Sequence, residues 1–183
     1  HYFSTEKFDF QIFDSPLEMH NKIKEKNKVN NKSRVVAGYC WDWISQKRPD
    51  LKDITIDPFG FKATWNLTSD GSEWIISPKS VEEVGCIHTC QGLEVDYVGV
   101  IVGRDLIAID GVLKTDPSAR AKTDASLKGY KKEFKEDPIS ADLKADELIR
   151  NTYRTLMSRG MKGCYVYFVD EATSDYFKSK LPK

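Results

Sequence analysis

The sequence has no excess of charge of either sign, because lysine plus arginine and aspartate plus glutamate each number 28 in 183 residues. A protein that binds nucleic acid through a general basic field is therefore excluded, and such a site has to be a local patch. No apolar run approaches the roughly 20 residues of a membrane helix, and residues 1–10 lack the layout of a signal peptide. We expect a soluble, cytoplasmic protein with no membrane partner.

Cysteine is also scarce, with four residues in the whole chain. All four lie in or beside apolar segments, which is typical of free, buried thiols in a reducing compartment. Cys86, His88 and Cys90 are close in sequence, but a second pair of metal ligands is missing from this pattern. We therefore expect no metal site, and a metal or thiol enzyme built on these residues would require stoichiometric zinc.

Apolar strands alternate with helical segments along the chain, which favours an α/β fold with an open, mostly parallel sheet and helices on both faces. We expect one domain over residues 1–183, about five or six strands, a surface loop at 24–32 and an inserted β or loop region at 46–78. The strands are predicted at 8–13, 34–40, 84–88, 97–102, 106–110 and 164–169, with short ones at 53–56, 61–65 and 74–76.

A polar, glycine-centred turn precedes the strand at 97–102. It contains an imidazole, a hydroxyl, an amide and a carboxylate within seven residues: His88, Thr89, Gln91 and Glu94. Gly92 allows a ligand to approach the backbone closely. The turn therefore predicts a polar ligand at the end of a strand.

Two further stretches are candidates for nucleic-acid binding. Trp41 and Trp43 follow a buried strand, where either ring can stack on a base or pack in the core. The segment Lys128–Lys135, with Lys131 at its centre, combines positive charge with two aromatic residues. It is either a nucleic-acid patch or the solvated face of a helix.

The last third of the chain predicts a helix that starts near Ser140 and is stopped by Gly160 and Gly163. Its apolar side comprises Leu143, Ile149, Tyr153, Leu156 and Met157, and its arginines are Arg150, Arg154 and Arg159. A strand and a closing helix at 171–181 follow.

Two of these stretches together resemble known helicase motifs. Residues 87–96 look like the fifth conserved motif of superfamily 1 helicases, and residues 149–160 look like the sixth, in the same order. The amino-acid sequence of the whole chain, notably at residues 36–41 and 159–165, is more similar to a bacterial family of unknown function. That family is described as Schlafen-like DNA/RNA helicase-related ATPases.

The resemblance implies the second, C-terminal RecA-like domain of a two-domain motor, with ATP and Mg²⁺ bound in the cleft between the domains. No glycine is followed by lysine in this sequence, so the phosphate-binding loop Gly-x-x-x-x-Gly-Lys-Ser/Thr is absent. We therefore expect a fragment of a longer chain, whose partner is a P-loop domain of the same parent protein. Single-stranded or duplex nucleic acid is the second expected partner, and the fragment alone is predicted to be inactive.

The resemblance also assigns roles to individual residues. Arg159 corresponds to an arginine finger that reaches the γ-phosphate across the cleft. Nucleotide contacts are implied for Gln91, Gly92 and Glu94, and contacts with the nucleic-acid strand for His88 and Thr89.

The sequence departs from the helicase pattern at two places. Cys86 stands where those helicases usually have threonine, and a further phosphate-contacting arginine has only Arg34 or Arg104 as substitutes. The alternative function is a non-catalytic nucleic-acid or protein interaction module derived from a helicase fold, which binds through the Lys128–Lys135 segment and the tryptophans.

Overall fold

A computed structural model of the protein describes residues 8–66, 73–89, 92 and 94–182. In this part of the chain the strands are β1 (Asp9–Phe13), β2 (Ser33–Ala37), β3 (Ile54–Ile56), β4 (Phe61–Ala63), β5 (Val84–Gly85), β6 (Val95–Val102), β7 (Leu106–Ile109), β8 (Val112–Thr115) and β9 (Gly160–Phe168). The α-helices are α1 (Pro16–Asn30), α2 (Tyr130–Glu136), α3 (Pro138–Met157) and α4 (Glu171–Lys178).

Five strands form the central sheet in the order β1-β9-β6-β2-β5, and every pair in it is parallel. Such a sheet needs cover on both faces. Helix α1 covers one face, where Met19 and Ile23 are fully buried beside Val35. Helices α3 and α4 pack on the other face. The predicted α/β fold is confirmed, and the architecture is consistent with a RecA-like domain.

Helix α1 is longer than the sequence pattern predicts, because it continues to Asn30 instead of ending in a loop at residue 24. Its polar second half has partners elsewhere in the chain. Lys24 lies 2.5 Å from a carboxylate oxygen of Glu82, and Lys26 lies 3.6 Å from one of Asp9. Lysine also has a high intrinsic helix propensity, so a helix forms without an apolar stripe.

The inserted region between β2 and β5 contains the antiparallel pair β3–β4. Asp53 fixes it, since its buried carboxylate accepts bonds from the Trp65 and Ser45 backbone N–H groups at 2.8 and 2.7 Å. The predicted strand at 74–76 is wrong, because this stretch is a turn. Trp74 is nevertheless buried, with its Nε1 donating to Glu83 at 2.9 Å. Burial of the tryptophan explains why the stretch resembles a strand.

Strand β7 pairs with β8 in an antiparallel hairpin outside the central sheet. This hairpin leads to α2 and α3. Helix α3 begins earlier than predicted, because Asp137 accepts a bond from the Ser140 N–H at 3.1 Å and caps it. Leu143 lies on its exposed side, contrary to the prediction. Among the described residues, no helix combines the length and apolar character that crossing a bilayer requires.

Candidate functional site

The polar turn between β5 and β6 connects the two ends of the parallel strands. We call these ends the carboxyl edge and the amino edge of the central sheet. The turn leaves β5 next to the carboxyl ends of the strands, and it enters β6 at the amino ends. Strand β6 has eight residues, so these edges lie roughly 23 Å apart at about 3.3 Å per residue. The candidate residues are therefore divided between two places.

Arg159 lies at the amino edge, between α3 and β9. The backbone N–H of Val95 donates to the Arg159 carbonyl oxygen at 3.0 Å, so the residue after Glu94 is held directly against Arg159. The guanidinium is half-buried, and its Nε donates to the Thr155 carbonyl oxygen at 3.1 Å. The start of β6 and the end of α3 thus form one surface at this edge.

Glu94 directly precedes Val95 at this edge and is exposed. Gly92, between this edge and the opposite one along the chain, is exposed as well. Gly92 has a φ angle of 77°, and a Cβ built on it would meet no atom within 4 Å. This conformation favours glycine, and the open space leaves the backbone accessible to a ligand. Gln91 lies outside the described residues.

A void of about 10 Å³ lies behind the Arg159 side chain, which is about the space of one water molecule. Its walls are mostly apolar. The lining residues are Arg34, Val36, Trp74, Ile75, Val95, Val98 and Arg159. The void itself is therefore too small to hold a nucleotide.

Arg34 shares this void but is 1% exposed. Its guanidinium donates to several oxygens of the chain, including Ser80 Oγ at 2.8 Å and the Ile75 carbonyl at 2.6 Å. Burial lowers the pKa of Arg34 to about 10, so the group stays charged at neutral pH. Arg104 is exposed and follows the carboxyl end of β6, at the edge opposite Arg159. Neither arginine therefore joins Arg159 at an exposed phosphate-binding surface.

A groove of about 330 Å³ lies at the carboxyl edge of the sheet. We call it the carboxyl-edge groove, and it has two aromatic walls and several polar groups. Its lining residues are Tyr39, Trp43, Asn66, Cys86, His88, Thr89, Thr123, Asp124 and Ala125. The groove has the dimensions of a small-ligand site.

His88 and Thr89 both line the groove, but their side chains differ in how firmly they are held. Thr89 Oγ1 donates to Asn66 Oδ1 at 2.6 Å, and it lies 3.4 Å from Cys86 Sγ. The His88 side chain is exposed and has no hydrogen bond within the described ranges. A ligand can therefore bind the imidazole without breaking an internal contact.

Trp41 and Trp43 are both half-buried and pack against the core, and Trp43 also lines the groove. The Trp41 carbonyl oxygen accepts a bond from Trp65 Nε1 at 3.1 Å. Lys131 is exposed on α2, which follows the wall formed by 123–125. Three residues of the groove are not among those predicted from the sequence: Tyr39, Asn66 and Thr123. Of these three residues, only Tyr39 could have been identified from the sequence. It follows the carboxyl end of a predicted parallel strand, where ligands commonly bind.

Comparison with known proteins adds a family assignment. A family profile described as "Schlafen group 3, DNA/RNA helicase domain" matches residues 1–170. The uncharacterised protein YPL245W of Saccharomyces cerevisiae is 29% identical over 168 residues, which cover 89% of this chain and 35% of the yeast protein. The chain thus spans about a third of that relative's length. No solved structure matches the chain significantly. The relative is a yeast protein, so similar chains occur outside bacteria.

Proposed function

This chain belongs to the Schlafen group 3 DNA/RNA helicase domain family, and we propose that it acts as the second RecA-like domain of a helicase-like ATPase. In this role it supplies Arg159 to a nucleotide that a P-loop domain of the parent protein holds. The observation that carries the proposal is the position of Arg159, which lies at the amino edge of the sheet against the start of β6.

Arg159 suits the γ-phosphate of ATP for chemical reasons. A guanidinium stays charged at every physiological pH and distributes its donors over the phosphoryl oxygens. Such a group stabilises the charge of the transition state, and in NTPases it accelerates hydrolysis by about 10³- to 10⁵-fold. The P-loop domain supplies the backbone amides, the lysine and the Mg²⁺ that hold the phosphates.

The neighbours of Arg159 fit the rest of a nucleotide. Glu94 is an exposed carboxylate next to the Val95–Arg159 hydrogen bond, so it can accept a hydrogen bond from a ribose hydroxyl. Gly92 exposes its backbone to solvent, which allows close approach of a phosphate or sugar. The resemblance adds Gln91 to this group.

The carboxyl-edge groove is the proposed nucleic-acid site. Tyr39 and Trp43 present aromatic rings, and a base of any identity can stack on such a ring. His88 and Thr89 supply polar contacts at the same groove, and Lys131 adds a positive charge on α2. Trp41 contributes by supporting this loop from the core side.

Substitution of Arg159 tests the proposal in the full-length protein that carries this domain. We expect Arg159→Ala to lower kcat for ATP hydrolysis by about 10³-fold or more, because the transition-state charge loses its donor. The affinity for a fluorescent ATP analogue should change much less, since the P-loop domain provides most ground-state contacts. Steady-state turnover and fluorescence titration measure the two effects.

Arg154→Ala is the matched control, in the last turn of the helix that precedes Arg159. Arg154 is exposed, and its Nη1 donates to Asn151 Oδ1 at 3.1 Å. This variant should hydrolyse ATP at the wild-type rate. A folded Arg159→Ala protein that does the same would refute the arginine-finger role.

The second candidate function is a non-catalytic module that binds nucleic acid or protein. It is favoured by the fact that the carboxyl-edge groove is formed by this chain alone. In that case the full-length protein binds nucleic acid through the groove, and Arg159→Ala leaves any hydrolysis unchanged. The same pair of variants therefore distinguishes the two functions.

A further inference from the structure

The two candidate surfaces lie at opposite edges of the sheet, and a cluster of buried polar side chains lies at the carboxyl edge, next to the groove. We call it the Asp105 cluster, and it comprises Asp105, Arg120, Asp124 and Tyr153. The side chains of Asp105, Arg120 and Asp124 are 0%, 2% and 4% exposed. Charged groups this deeply buried need partners, and in this cluster they bind one another.

Arg120 is at the centre of the cluster. Its Nη1 lies 3.0 Å from Asp105 Oδ2, and its Nη2 lies 2.6 Å from Asp124 Oδ2. Asp105 also accepts a hydrogen bond from the hydroxyl of Tyr153. One guanidinium thus connects the loop at 120–124 with the carboxyl end of β6 and with helix α3.

The groove end of this connection is well defined. Asp124 lines the carboxyl-edge groove together with Thr123. The Ala121 N–H donates to the Tyr39 carbonyl oxygen at 2.9 Å, so the loop is held against the opposite wall. A strand in the groove would contact this loop at Thr123 and Asp124, and Arg120 is the buried side chain that anchors the loop.

The helix end of the connection is Tyr153. Its hydroxyl accepts a bond from the Gly103 N–H at 2.9 Å, and it lies so close to β2 that a Cβ on Gly38 would be 2.0 Å from its oxygen. Burial, with further contributions from Cys40 and Asp105, raises the pKa of Tyr153, so the hydroxyl stays protonated. The side chain has no free space, and movement of β6 or Arg120 therefore moves α3.

Helix α3 carries this movement to the amino edge. Tyr153 contacts the carboxyl end of β6, whereas Arg159, six residues later, contacts its amino end through Val95. Helix α3 is stiff over the roughly 6 Å from Tyr153 to its last residue, Met157, and the N–H of Arg159 extends it by donating to the Leu156 carbonyl oxygen at 3.2 Å. A shift at Tyr153 therefore changes the position of Arg159 instead of being absorbed within the helix.

We infer that Arg120 and Tyr153 are positioning residues that transmit the occupation of the carboxyl-edge groove by a single nucleic-acid strand to Arg159. The inference rests on the proposed function, because it concerns how the two surfaces of that function communicate. Neither residue touches nucleotide or nucleic acid. Their effect is a coupling free energy between the two ligands, which is reciprocal by thermodynamic necessity.

The variant Tyr153→Phe tests this coupling in the full-length protein. The Kd of a non-hydrolysable fluorescent ATP analogue is measured with and without a saturating single-stranded oligonucleotide. Wild-type protein should show a change of about 5-fold or more, as is typical of coupled sites. Tyr153→Phe should reduce this change to within about twofold, while each ligand alone binds as in the wild type. Arg120→Lys should weaken the coupling in the same way, since lysine keeps the charge but loses the planar fork.

Tyr165→Phe is the matched control. Tyr165 is also a buried tyrosine whose hydroxyl donates to a carboxylate, that of Asp9 at 2.6 Å, but it lies in the core cluster on the other face of the sheet. The two variants should lose similar amounts of thermal stability. Only Tyr153→Phe should lose the coupling, which a purely structural role for both hydroxyls does not explain.

Three results would overturn the inference. If folded Tyr153→Phe and Arg120→Lys proteins keep the wild-type coupling, the Asp105 cluster is structural only, and the proposed function stands. If the oligonucleotide leaves the nucleotide affinity of wild-type protein unchanged, there is no coupling to transmit. If Arg159→Ala hydrolyses ATP as fast as wild type, the proposed function fails and the inference fails with it.

Discussion

At the scale of single residues, Arg34 and Arg159 both line the small void at the amino edge, but they have different roles. The Arg34 guanidinium is buried and donates to side-chain and backbone oxygens from α1, β2 and the segment 75–80. It joins these three parts of the chain. Arg159 is half-buried at the edge of the sheet, where a ligand can reach it. Arg34 therefore belongs to the scaffold, and Arg159 belongs to the candidate site.

The scaffold role of Arg34 predicts a large loss of stability in Arg34→Lys. Lysine retains the charge but cannot reproduce the fork of donors, so several buried oxygens lose their partner. We expect the free energy of unfolding to fall by roughly 2–4 kcal/mol, since each unsatisfied buried group costs about 1–3 kcal/mol. Urea denaturation followed by circular dichroism measures the change.

Arg154→Lys is the corresponding surface control, because Arg154 is exposed on α3. Its effect should stay within about 0.5 kcal/mol, as for most surface substitutions. A comparable small effect of Arg34→Lys would show that water replaces the lost donors.

At the scale of elements, α1 depends on long-range partners that its own sequence does not reveal. Its buried side includes His20, which is 5% exposed. The His20 Nε2–H donates to the Val81 carbonyl oxygen at 2.7 Å. The His20 ring packs edge-on against the Phe61 ring, with 5.6 Å between the two ring centroids. The helix is thus attached to the segment before β5 by a neutral imidazole.

This contact predicts acid sensitivity. Burial lowers the pKa of His20 below its ordinary value of 6.5, although the Val81 hydrogen bond acts in the opposite direction. The unfolded chain therefore takes up a proton at a higher pH than the folded chain. The free energy of unfolding should fall as the pH drops below about 6.5 and should stop falling below the folded-state pKa.

The variant His20→Gln removes this pH dependence while keeping a donor for Val81. Urea midpoints between pH 5 and 7.5 should vary less in His20→Gln than in wild type. Identical urea midpoints for His20→Gln and the wild type across this pH range would contradict the role of His20.

The elements that could be predicted from the sequence are those with a strong local pattern. Strand β6, at 95–102, and most of α3 follow from β-branched runs and helical spacing. The second half of α1 could not be predicted, because it is stabilised by ion pairs with distant residues. Strand β8 was not predicted, although Asp110-Gly111 is a two-residue turn typical of a hairpin. Arg159 and His88 were found through motif resemblance. Asn66 and Thr123 were missed because only the folded chain brings them to the groove.

At the scale of the whole molecule, the chain has no net charge. The described lining of the carboxyl-edge groove also contains no lysine or arginine. Binding of a single strand to this groove should therefore depend on stacking more than on counterion release. Any positive charge has to come from outside the groove, and Lys131 on α2 is the proposed source. Affinity should therefore come mainly from stacking in the groove, and salt dependence mainly from Lys131.

These two sources predict different effects for two variants of this chain. Trp43→Ala should weaken binding of a short single-stranded oligonucleotide by about 1–3 kcal/mol, the contribution of one stacked base. Lys131→Ala should lower affinity less, but should reduce the slope of log Kd against log salt by about 0.7, the share of one phosphate contact. Fluorescence anisotropy at several salt concentrations measures both.

Lys22→Ala is the control, since Lys22 is exposed on α1 and forms an ion pair with Glu25 at 2.9 Å. It should change neither quantity. A steep salt slope, together with an affinity that does not respond to Trp43→Ala, would instead favour binding through the whole Lys128–Lys135 segment.

The position of β9 also determines when this domain can fold during synthesis. In the sheet β9 lies between β1 and β6, although it is the last strand described in the chain. Strand β1 is therefore synthesised early, and it cannot pair with β9 until residues 160–168 have been synthesised. Pairing over such a long sequence separation is slow, and the waiting strands expose apolar surface. Chaperones that shield nascent chains should therefore bind this domain until its last strand has been translated.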